Sequence, residues 1–288
     1  MGKSILNVGG YTILRRIGIG ARSTIYLATD EYGETPVALK RVVMERPEDT
    51  RVFEQVETEF KVASKIDHPY IRKCFKLKKI RGMLKVRELL LAMEYFDGQS
   101  LEDGPALSLV DVMLVFRMVA NGLNAMHQHG YVHCDIKPNN ILMDKAGAIR
   151  IIDLGQSCRI GTTKHRIQGT PDYIAPEQVK RKPLTPKTDL FNLGATMYWA
   201  LTGKNIPTLI PKKNQFGILV TPPQEFRAPH ELKPKIPVSL SNLVTECTKE
   251  DPAQRPRNMM AVIEQLDGMI HGLLGSRIRA NRHAANQD

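Results

Sequence analysis

Cysteine is scarce in this sequence. The 288 residues include four cysteines, and no two of them form a C-x-x-C pair. This spacing argues against a disulfide framework, which needs many cysteines, and against a structural zinc site, which needs them closely paired. We therefore expect the chain to work in a reducing compartment, the cytoplasm.

Long apolar runs are lacking as well. No window of 18 residues is both apolar and free of charge, so we expect no membrane-spanning helix. The opening residues, MGKSILNVGGYTILRR, contain no apolar core of signal-peptide length. Leu6 also stands where an N-myristoylation signal needs Ser or Thr.

Acidic residues are outnumbered. The chain has 41 Lys and Arg against 30 Asp and Glu, a net charge of +11. Such a balance suits nucleic acid, anionic membranes, nucleotide phosphates or acidic proteins, and it does not choose among them. Aromatic residues do not interleave with basic ones as they do in single-strand nucleic-acid binders, so we expect no nucleic-acid partner. Hydrophobic residues make up 42 %, enough for a sizeable core.

The first 96 residues have the pattern of an antiparallel sheet with one helix. Apolar residues alternate with polar ones in short segments that are separated by a glycine loop and turn-rich stretches. Spacings of three and four then predict an amphipathic helix over 47–66, which Pro69 ends. The predicted strands and further apolar runs cover residues 11–17, 23–29, 36–43, 71–80 and 84–96.

The pattern becomes helical after DGQS, residues 97–100, which is the best internal boundary. We expect a small lobe over 1–96, a large lobe over 97–275 and a flexible tail over 276–288, where large apolar residues are rare. The large lobe is predicted to contain helices over 109–126, 187–201, 238–248 and 258–274, and short strands over 141–143 and 149–152.

The segment HCDIKPNN at 133–140 places a carboxylate, an ammonium and a carboxamide within six residues. Asp153 follows Asn140 by thirteen residues, and a strand-loop-strand between them would bring the two side chains together. A carboxamide and a carboxylate are hard oxygen ligands that suit Mg²⁺ bound to phosphates. Asp135 is then free to accept a hydroxyl proton, and Lys137 can neutralise charge on a transferred group.

This pattern, H-x-D-x-K-x-x-N followed by D-x-G, resembles that of the eukaryotic-type serine/threonine protein kinases. Cys134 departs from it, because the family usually has arginine before the catalytic aspartate. The other segments that fit the family are Val37–Lys40, Gly169–Glu177, Asp189–Gly194 and Asp251–Pro256, and the resemblance covers roughly residues 11 to 270.

The resemblance implies an α+β, bilobal kinase-like fold, with a small antiparallel β lobe carrying one main helix and a larger, mostly helical lobe. ATP and Mg²⁺ would lie between them. The implied reaction is transfer of the γ-phosphoryl group to serine or threonine hydroxyls of protein substrates, including autophosphorylation. Asp135 and Lys137 would be catalytic, with Lys137 marking the Ser/Thr class, and Asn140 and Asp153 would hold the metal.

The resemblance also implies a nucleotide site in the small lobe. Lys40 would hold the α- and β-phosphates together with Glu59 of the helix. Glu57 lies on the same helix, and only the spacing to Pro69 favours Glu59.

The glycine loop would contribute Gly18 and Gly20, while Ser23 stands where a third glycine is common. Glycines let backbone N–H groups approach phosphate closely, so we expect a weaker or altered nucleotide affinity rather than its loss. The residues expected around adenine are Ile17, Ile25, Ala38, Leu142, the gatekeeper-like Met93 and the backbone groups of Glu94 and Phe96.

Four residues are expected to support the site. In the family, the residue matching Asp189 is buried and anchors the catalytic loop. Arg255 would pair with Glu177 in a buried ion pair that fixes geometry more than it adds stability. Thr170 would brace Asp135.

Cys134 removes the arginine that pairs with a phosphorylated activation loop in the family. We therefore hypothesise that activation does not strictly need phosphorylation of Thr162 or Thr163. A thiol beside the base could be redox-sensitive, although a buried, inert cysteine is the simpler interpretation.

Residues 72–87 contain eight Lys and Arg and no acid. They form either a solvated hairpin or a docking surface for an anionic partner. Three other functions fit the sequence less well. A pseudokinase is disfavoured because Lys40, Asp135, Asn140 and Asp153 are all present. A lipid or small-molecule kinase is disfavoured by the segment 169–177, and a dinucleotide-binding oxidoreductase by the strand pattern after the glycine loop.

Overall fold

The computed structural model describes residues 6–20, 22–30, 33, 35–46, 49–82, 85–207, 210, 212–213, 219–220 and 225–285. A six-stranded antiparallel sheet makes up most of the first lobe, in the order β1-β2-β3-β4-β6-β5. Its strands are β1 Leu6–Val8, β2 Tyr11–Gly20, β3 Ser23–Thr29, β4 Pro36–Val43, β5 Cys74–Arg81 and β6 Val86–Glu94.

One helix, α1 Thr50–Ala63, packs against this sheet. Its buried stripe contains Phe53, Val56 and Val62, and the carboxylate of Glu59 lies on the same stripe. The helix is shorter than the predicted 47–66, because Asp49 accepts backbone hydrogen bonds from residues 45 and 46 just before it. Pro47 lies outside the described residues.

The second lobe is mainly helical, and its core surrounds α2. Its helices are α2 Leu109–Gln128, α3 Pro176–Val179, α4 Pro186–Thr202, α5 Pro229–Leu232, α6 Val238–Cys247 and α7 Met259–Ala285. Its short strands are β7 Gln99–Ser100, β8 Tyr131–Val132, β9 Ile141–Met143, β10 Ile149–Ile151, β11 Cys158–Arg159, β12 Lys212–Lys213 and β13 Leu219–Val220.

Helix α2 begins at Ser108, whose side chain accepts a hydrogen bond from the N–H of Asp111. By length and composition it is the one helix of the described chain that could cross a membrane. More than half of its apolar stretch is buried inside the protein, and Met113, Phe116 and Leu123 lie fully buried in the core of the lobe. Buried core helices often have the same length and composition as membrane-spanning helices, so these two features are weak evidence for a membrane span.

Three predicted boundaries need correction. Strand β2 continues past residue 17 to Gly20, because the glycine loop is itself paired with β3. The strand predicted from Ile71 begins at Cys74, and Ile71 instead forms a single bridge to Ile151. Helix α7 continues to Ala285 through the tail predicted over 276–288, since alanine and arginine favour helix; residues 286–288 lie outside the described chain.

Candidate active site

Asp135 lies in the loop between β8 and β9, and its carboxylate is held on both oxygens. Oδ1 accepts hydrogen bonds from the N–H and the hydroxyl of Thr170, at 3.1 and 3.0 Å. Oδ2 lies 3.0 Å from Nζ of Lys137, which also donates to the Thr170 hydroxyl at 2.7 Å. Asn140 Nδ2 donates to the Asp135 carbonyl at 2.8 Å. The carboxylate is therefore fixed in position before any substrate binds.

Asp189 of α4 anchors the backbone at the start of this loop. Its two oxygens accept the N–H groups of His133 and Cys134 at 2.9 and 2.8 Å, and Nε2 of His127 lies 2.8 Å away. Burial would raise the pKa of Asp189, but the hydrogen bond from His127 and the neighbouring charges lower it. The ionised carboxylate thus holds Cys134 in the left-handed region, at φ 69°.

Asn140 and Asp153 are brought side by side by the pairing of β9 with β10. Ile141 lies opposite Ile151, and the N–H of Ile152 donates to the Asn140 carbonyl at 2.9 Å. Asp153 then turns away at φ 60°, and its side chain is 43 % exposed to the cleft. The strand-loop-strand expected between the two residues is present.

Lys40 crosses the cleft to reach both lobes. Its Nζ lies 2.7 Å from Glu59 Oε2 and 3.7 Å from Asp153 Oδ1. Glu57, the alternative on α1, is exposed and pairs with Lys79 instead. The small-lobe lysine, the helix and the start of the activation segment are therefore joined by one cation.

The charges of this cluster reinforce one another. Burial alone would lower the pKa of Lys40, but the carboxylates of Glu59 and Asp153 outweigh it and raise the pKa above its usual value. Lys40 in turn lowers the pKa of Asp153, with smaller contributions from His133 and Lys137. Both groups are ionised at neutral pH, as a phosphate clamp and a metal ligand must be.

Strands β2 and β3 pair through Gly18 and Gly20 of the glycine loop, and Ala21 lies outside the described residues. Gly18 lies opposite Ile25, and Gly20 lies opposite Ser23. A Cβ on Gly20 would lie 2.6 Å from the Ser23 hydroxyl oxygen, whereas one on Gly18 would meet only ordinary contacts. The close approach of the Ser23 side chain thus leaves no room for a side chain at position 20.

Four of the apolar residues expected around adenine lie in one cluster of the small lobe, and the fifth, Leu142, lies in the large lobe. Ala38 and Met93 are buried in one cluster, with Ile17 and Ile25 packed against it. Ala38 lies directly opposite Met93 in the β4–β6 register, and Leu142 lies on β9 opposite Ser100.

The segment between the lobes is held by Glu94 and Phe96. Glu94 forms a close ion pair with Arg150 of β10, whose guanidinium lies 4.8 Å from the Phe96 ring centre. Among the hydrogen bonds of the described residues, none uses the Phe96 N–H, which is the donor expected to face adenine. An ion pair therefore ties the segment to the large lobe, and the Phe96 N–H has no hydrogen-bond acceptor among the described residues.

The phosphate end of the cleft between the lobes has the charged groups that suit Mg-ATP. A cavity of about 980 Å³ opens there between the glycine loop and α1, and its lining includes Lys40, Lys137 and Asp153 but none of the residues expected around adenine. Because the amide nitrogen of Asn140 is engaged with Asp135, its amide oxygen is the atom left for a cation. One amide oxygen and one ionised carboxylate fit Mg²⁺, which takes few protein ligands and completes its shell with phosphate oxygens and water.

The activation segment runs from Asp153 to Glu177. Glu177 is 5 % exposed and forms two hydrogen bonds with Arg255, at 2.8 and 3.0 Å. The hydroxyl of Thr162 interacts with Cys158, while the side chain of Thr163 is exposed. Thr163 is therefore the more accessible of the two candidate phosphorylation sites.

Two supporting residues were missed by sequence reasoning. Arg72 is 6 % exposed and lies 3.4 Å from Glu59, so it belongs to the buried cluster and not to the basic hairpin predicted over 72–87. Gln178 donates to the carbonyls of Cys134 and Gln168, at 2.9 and 3.1 Å. No local sequence pattern predicts the role of Gln178. For Arg72, the apolar residue Ile71 beside it indicates a buried segment.

Comparisons with known proteins agree with this geometry. The protein kinase domain family matches residues 11–266. The serine/threonine-protein kinase PrkC of Bacillus subtilis is 28 % identical over 259 residues, covering 86 % of this chain and 38 % of PrkC. The serine/threonine/tyrosine-protein kinase HT1 of Arabidopsis thaliana is 28 % identical over 270 residues, covering 87 % of this chain and 65 % of HT1.

A solved structure confirms the predicted architecture. The PknI kinase domain of Mycobacterium tuberculosis superposes with a TM-score of 0.68 at 22 % identity, covering 93 % of this chain and 99 % of that domain. At this identity the likeness shows the two-lobed α+β fold. The chain spans less than two thirds of PrkC and of HT1. Since the family match covers most of the sequence, the chain belongs to the protein kinase domain family.

Proposed function

We propose that this domain transfers the γ-phosphoryl group of ATP to serine or threonine hydroxyls of proteins. The observation that carries the proposal is the pairing of Asp135 with Lys137 and Thr170, on the same cleft as the Lys40–Glu59 pair. The name of PrkC, a serine/threonine-protein kinase, supports this substrate class, and the name of HT1 includes serine and threonine together with tyrosine. A pseudokinase is disfavoured because Lys40, Asp135 and Asp153 all lie on this cleft, together with Asn140.

Each side chain has a distinct part in this reaction. Asp135 accepts a hydrogen bond from the substrate hydroxyl and takes its proton. Lys137, 3.0 Å from Asp135, stabilises the negative charge of the phosphoryl group in flight. Lys40 would fix the phosphates, and Asn140 and Asp153 would hold Mg²⁺, which would neutralise charge on the triphosphate. Catalysis then rests on alignment and electrostatics.

Incubation with Mg-ATP and a serine/threonine/tyrosine peptide library tests the proposal. We expect phosphate on serine and threonine, both in the peptides and in the protein itself, because Lys137 serves the Ser/Thr class. Phosphosites are mapped by mass spectrometry. Phosphotyrosine alone, or ATP hydrolysis with no phosphorylated residue, would contradict the substrate class.

We further propose that activity does not require a phosphorylated activation loop. Cys134 offers no cation to a phosphate, while Asp189 and Gln178 already hold its backbone from both sides. Turnover of the phosphatase-treated protein should therefore remain within a few-fold of the untreated protein. Turnover that depends on phosphate at Thr163 would refute this.

Lys40→Met is expected to lower kcat/KM for ATP about a hundredfold, the effect of losing a charged hydrogen bond worth about 1.5–3 kcal/mol. The fold should survive, because Arg72 still neutralises the buried Glu59. Steady-state kinetics with varied ATP measure the effect. Lys79→Met is the matched control, since it breaks an exposed Lys–Glu pair between another strand of the same sheet and the same helix α1. Equal losses in the two variants would rule out the assigned role.

The basic hairpin is proposed as a docking surface for an acidic peptide segment. Strand β5 is the edge of the sheet, and its exposed side chains include Lys76, Lys79 and Arg81 beside the half-exposed Phe75. Met83 and Leu84 at its turn lie outside the described residues. A glutamate-rich peptide should bind in low salt and lose affinity in Lys76→Glu/Arg81→Glu, as measured by fluorescence anisotropy. Unchanged binding would mean a merely solvated hairpin.

A cytoplasmic location is also proposed. The reaction consumes ATP, and all four cysteines are free thiols in the structure. Both features suit a reducing, ATP-rich compartment. Fractionation of cells that produce the whole protein would test this location.

A further inference from the structure

Two thiols meet where the catalytic loop crosses the start of the activation segment. The Sγ atoms of Cys134 and Cys158 lie 3.8 Å apart. Cys134 is buried one residue before Asp135, while Cys158 begins β11 and is half-buried. With Val132 and Leu184 they form a small cluster separate from the main core.

We propose that Cys134 and Cys158 are an oxidisable pair, which a hydroperoxide converts to a reversible disulfide that ties the activation segment to the catalytic loop. Formation of this disulfide does not depend on whether the domain transfers phosphate. It would occupy the place where the family's arginine clamps a phosphorylated loop, with a covalent link in place of an ion pair.

The geometry needs only a small approach of the two sulfurs, because a disulfide spans about 2.05 Å. Cys134 cannot move far, since its N–H and carbonyl are fixed by Asp189 and Gln178. Cys158 lies opposite Val132 in the two-residue pairing of β11 with β8, and the N–H groups of Ile160 and Gly161 donate to the carbonyls of Gly130 and Leu184. Because the backbone of Cys134 is fixed on both sides, the approach would come from the half-buried Cys158 and the short strand that carries it.

The two thiols differ in reactivity. The hydrogen bond from the Cys134 thiol lowers the pKa of Cys158, and the ammonium of Lys164 lowers it further. The same contact, together with burial, raises the pKa of Cys134. Elsewhere, burial raises the pKa of Cys74 to about 12 and that of Cys247 to about 12. Cys158 is thus the attacking thiolate of the four.

The chemistry balances in two steps. The Cys158 thiolate attacks the hydroperoxide, the O–O bond breaks, and a sulfenic acid forms while the leaving alkoxide takes a proton to become alcohol, or water from hydrogen peroxide. The sulfur of Cys134 then attacks that of Cys158, the S–O bond breaks, and hydroxide leaves as water with the proton of the Cys134 thiol. Two thiols are oxidised by two electrons, and a dithiol reverses the bond by exchange.

A metal does not explain the pair. In the part of the chain that the structure describes, no group of three His, Cys, Asp or Glu side chains is arranged to hold an ion. Two sulfurs in contact, with one accessible, are the arrangement of a redox-sensing pair in a reducing compartment.

The test treats the reduced protein with hydrogen peroxide, blocks free thiols and maps the peptides without reduction. We expect a Cys134–Cys158 link that dithiothreitol removes. Cys74→Ser should form the same link, and Cys158→Ser should form none and leave Cys134 as a thiol. Sulfinic acid at Cys158 without a link, or links to Cys74 or Cys247, would overturn the proposal.

Hydrogen exchange tests the effect of the disulfide on the activation segment. In the oxidised protein, amide exchange of residues 156–164 should slow by about tenfold or more, because a disulfide restricts the opened state. Peroxide-treated Cys158→Ser should exchange like the reduced protein. A link that leaves these rates unchanged would show that the bond does not hold the activation segment.

Discussion

Asp135→Asn is expected to lower the turnover of peptide phosphorylation about a thousandfold, within the range that proton transfer by a positioned side chain contributes. Asparagine keeps an oxygen that can accept from Thr170, but it loses the charge that pairs with Lys137 and the basicity that takes the proton. The affinity for Mg-ATP should change little, because Lys40 and Asp153 hold the phosphate end of the cleft. Turnover and nucleotide binding are measured separately, by peptide kinetics and by calorimetry.

Asp144→Asn is the matched control for this substitution. Asp144 lies in the turn between β9 and β10, where Oδ1 accepts the N–H groups of Ala146 and Ala148. It is a carboxylate of the same lobe with a purely structural contact, so its loss should leave turnover close to that of the parent protein. Turnover of Asp135→Asn within tenfold of the parent would remove the proton acceptor from this position.

Most of the site could be predicted because its residues lie in short, local motifs. Asp135, Lys137 and Asn140 share one loop, so their spacing alone places them together. Glu59 was also predicted, from its spacing to Pro69, and the structure places it on the buried stripe of α1. Strand bounds such as 23–29 and 36–43 were correct because both segments carry β-branched, alternating patterns between turn residues.

The contacts that the sequence did not predict join distant parts of the chain. Gln178 reaches Cys134 across 44 positions, and Cys158 meets Cys134 through the pairing of β8 with β11. Neither contact leaves a periodic signal, because each involves a single side chain whose partner is chosen by the packing of the lobe. The end of α7 was missed for another reason: helix propensity continued where apolar residues stopped.

Arg255 holds the end of the activation segment to the base of the large lobe. All five of its N–H groups have acceptors: two reach Glu177, and three reach the carbonyls of Lys249, Lys187 and Glu250, at 2.7 to 3.1 Å. The guanidinium also lies 5.0 Å from the Phe191 ring centre. Its removal would leave one buried carboxylate and three carbonyls without their donor.

Arg255→Met is therefore expected to lower the free energy of unfolding by about 3–5 kcal/mol, the cost of leaving a buried charge unpaired. Urea unfolding followed by circular dichroism measures the change. Lys180→Met breaks a solvent-exposed pair with Glu250 nearby and should alter stability little. A loss below about 1 kcal/mol for Arg255→Met would show that water reaches Glu177 and that the pair is not buried in solution.

The double variant Arg255→Met/Glu177→Met separates the stranded charge from the loss of the pair itself. Removing the carboxylate as well should recover part of the stability, because an apolar pair of similar volume avoids desolvating an unpaired charge. Recovery should be incomplete, since three backbone carbonyls still lack the donors that Arg255 provided. Turnover should stay low even where stability returns. Glu177 fixes the end of the activation segment, and Thr170 of that segment donates a hydrogen bond to Asp135. A double variant as active as the parent would mean that the ion pair stabilises the lobe without positioning the catalytic residues.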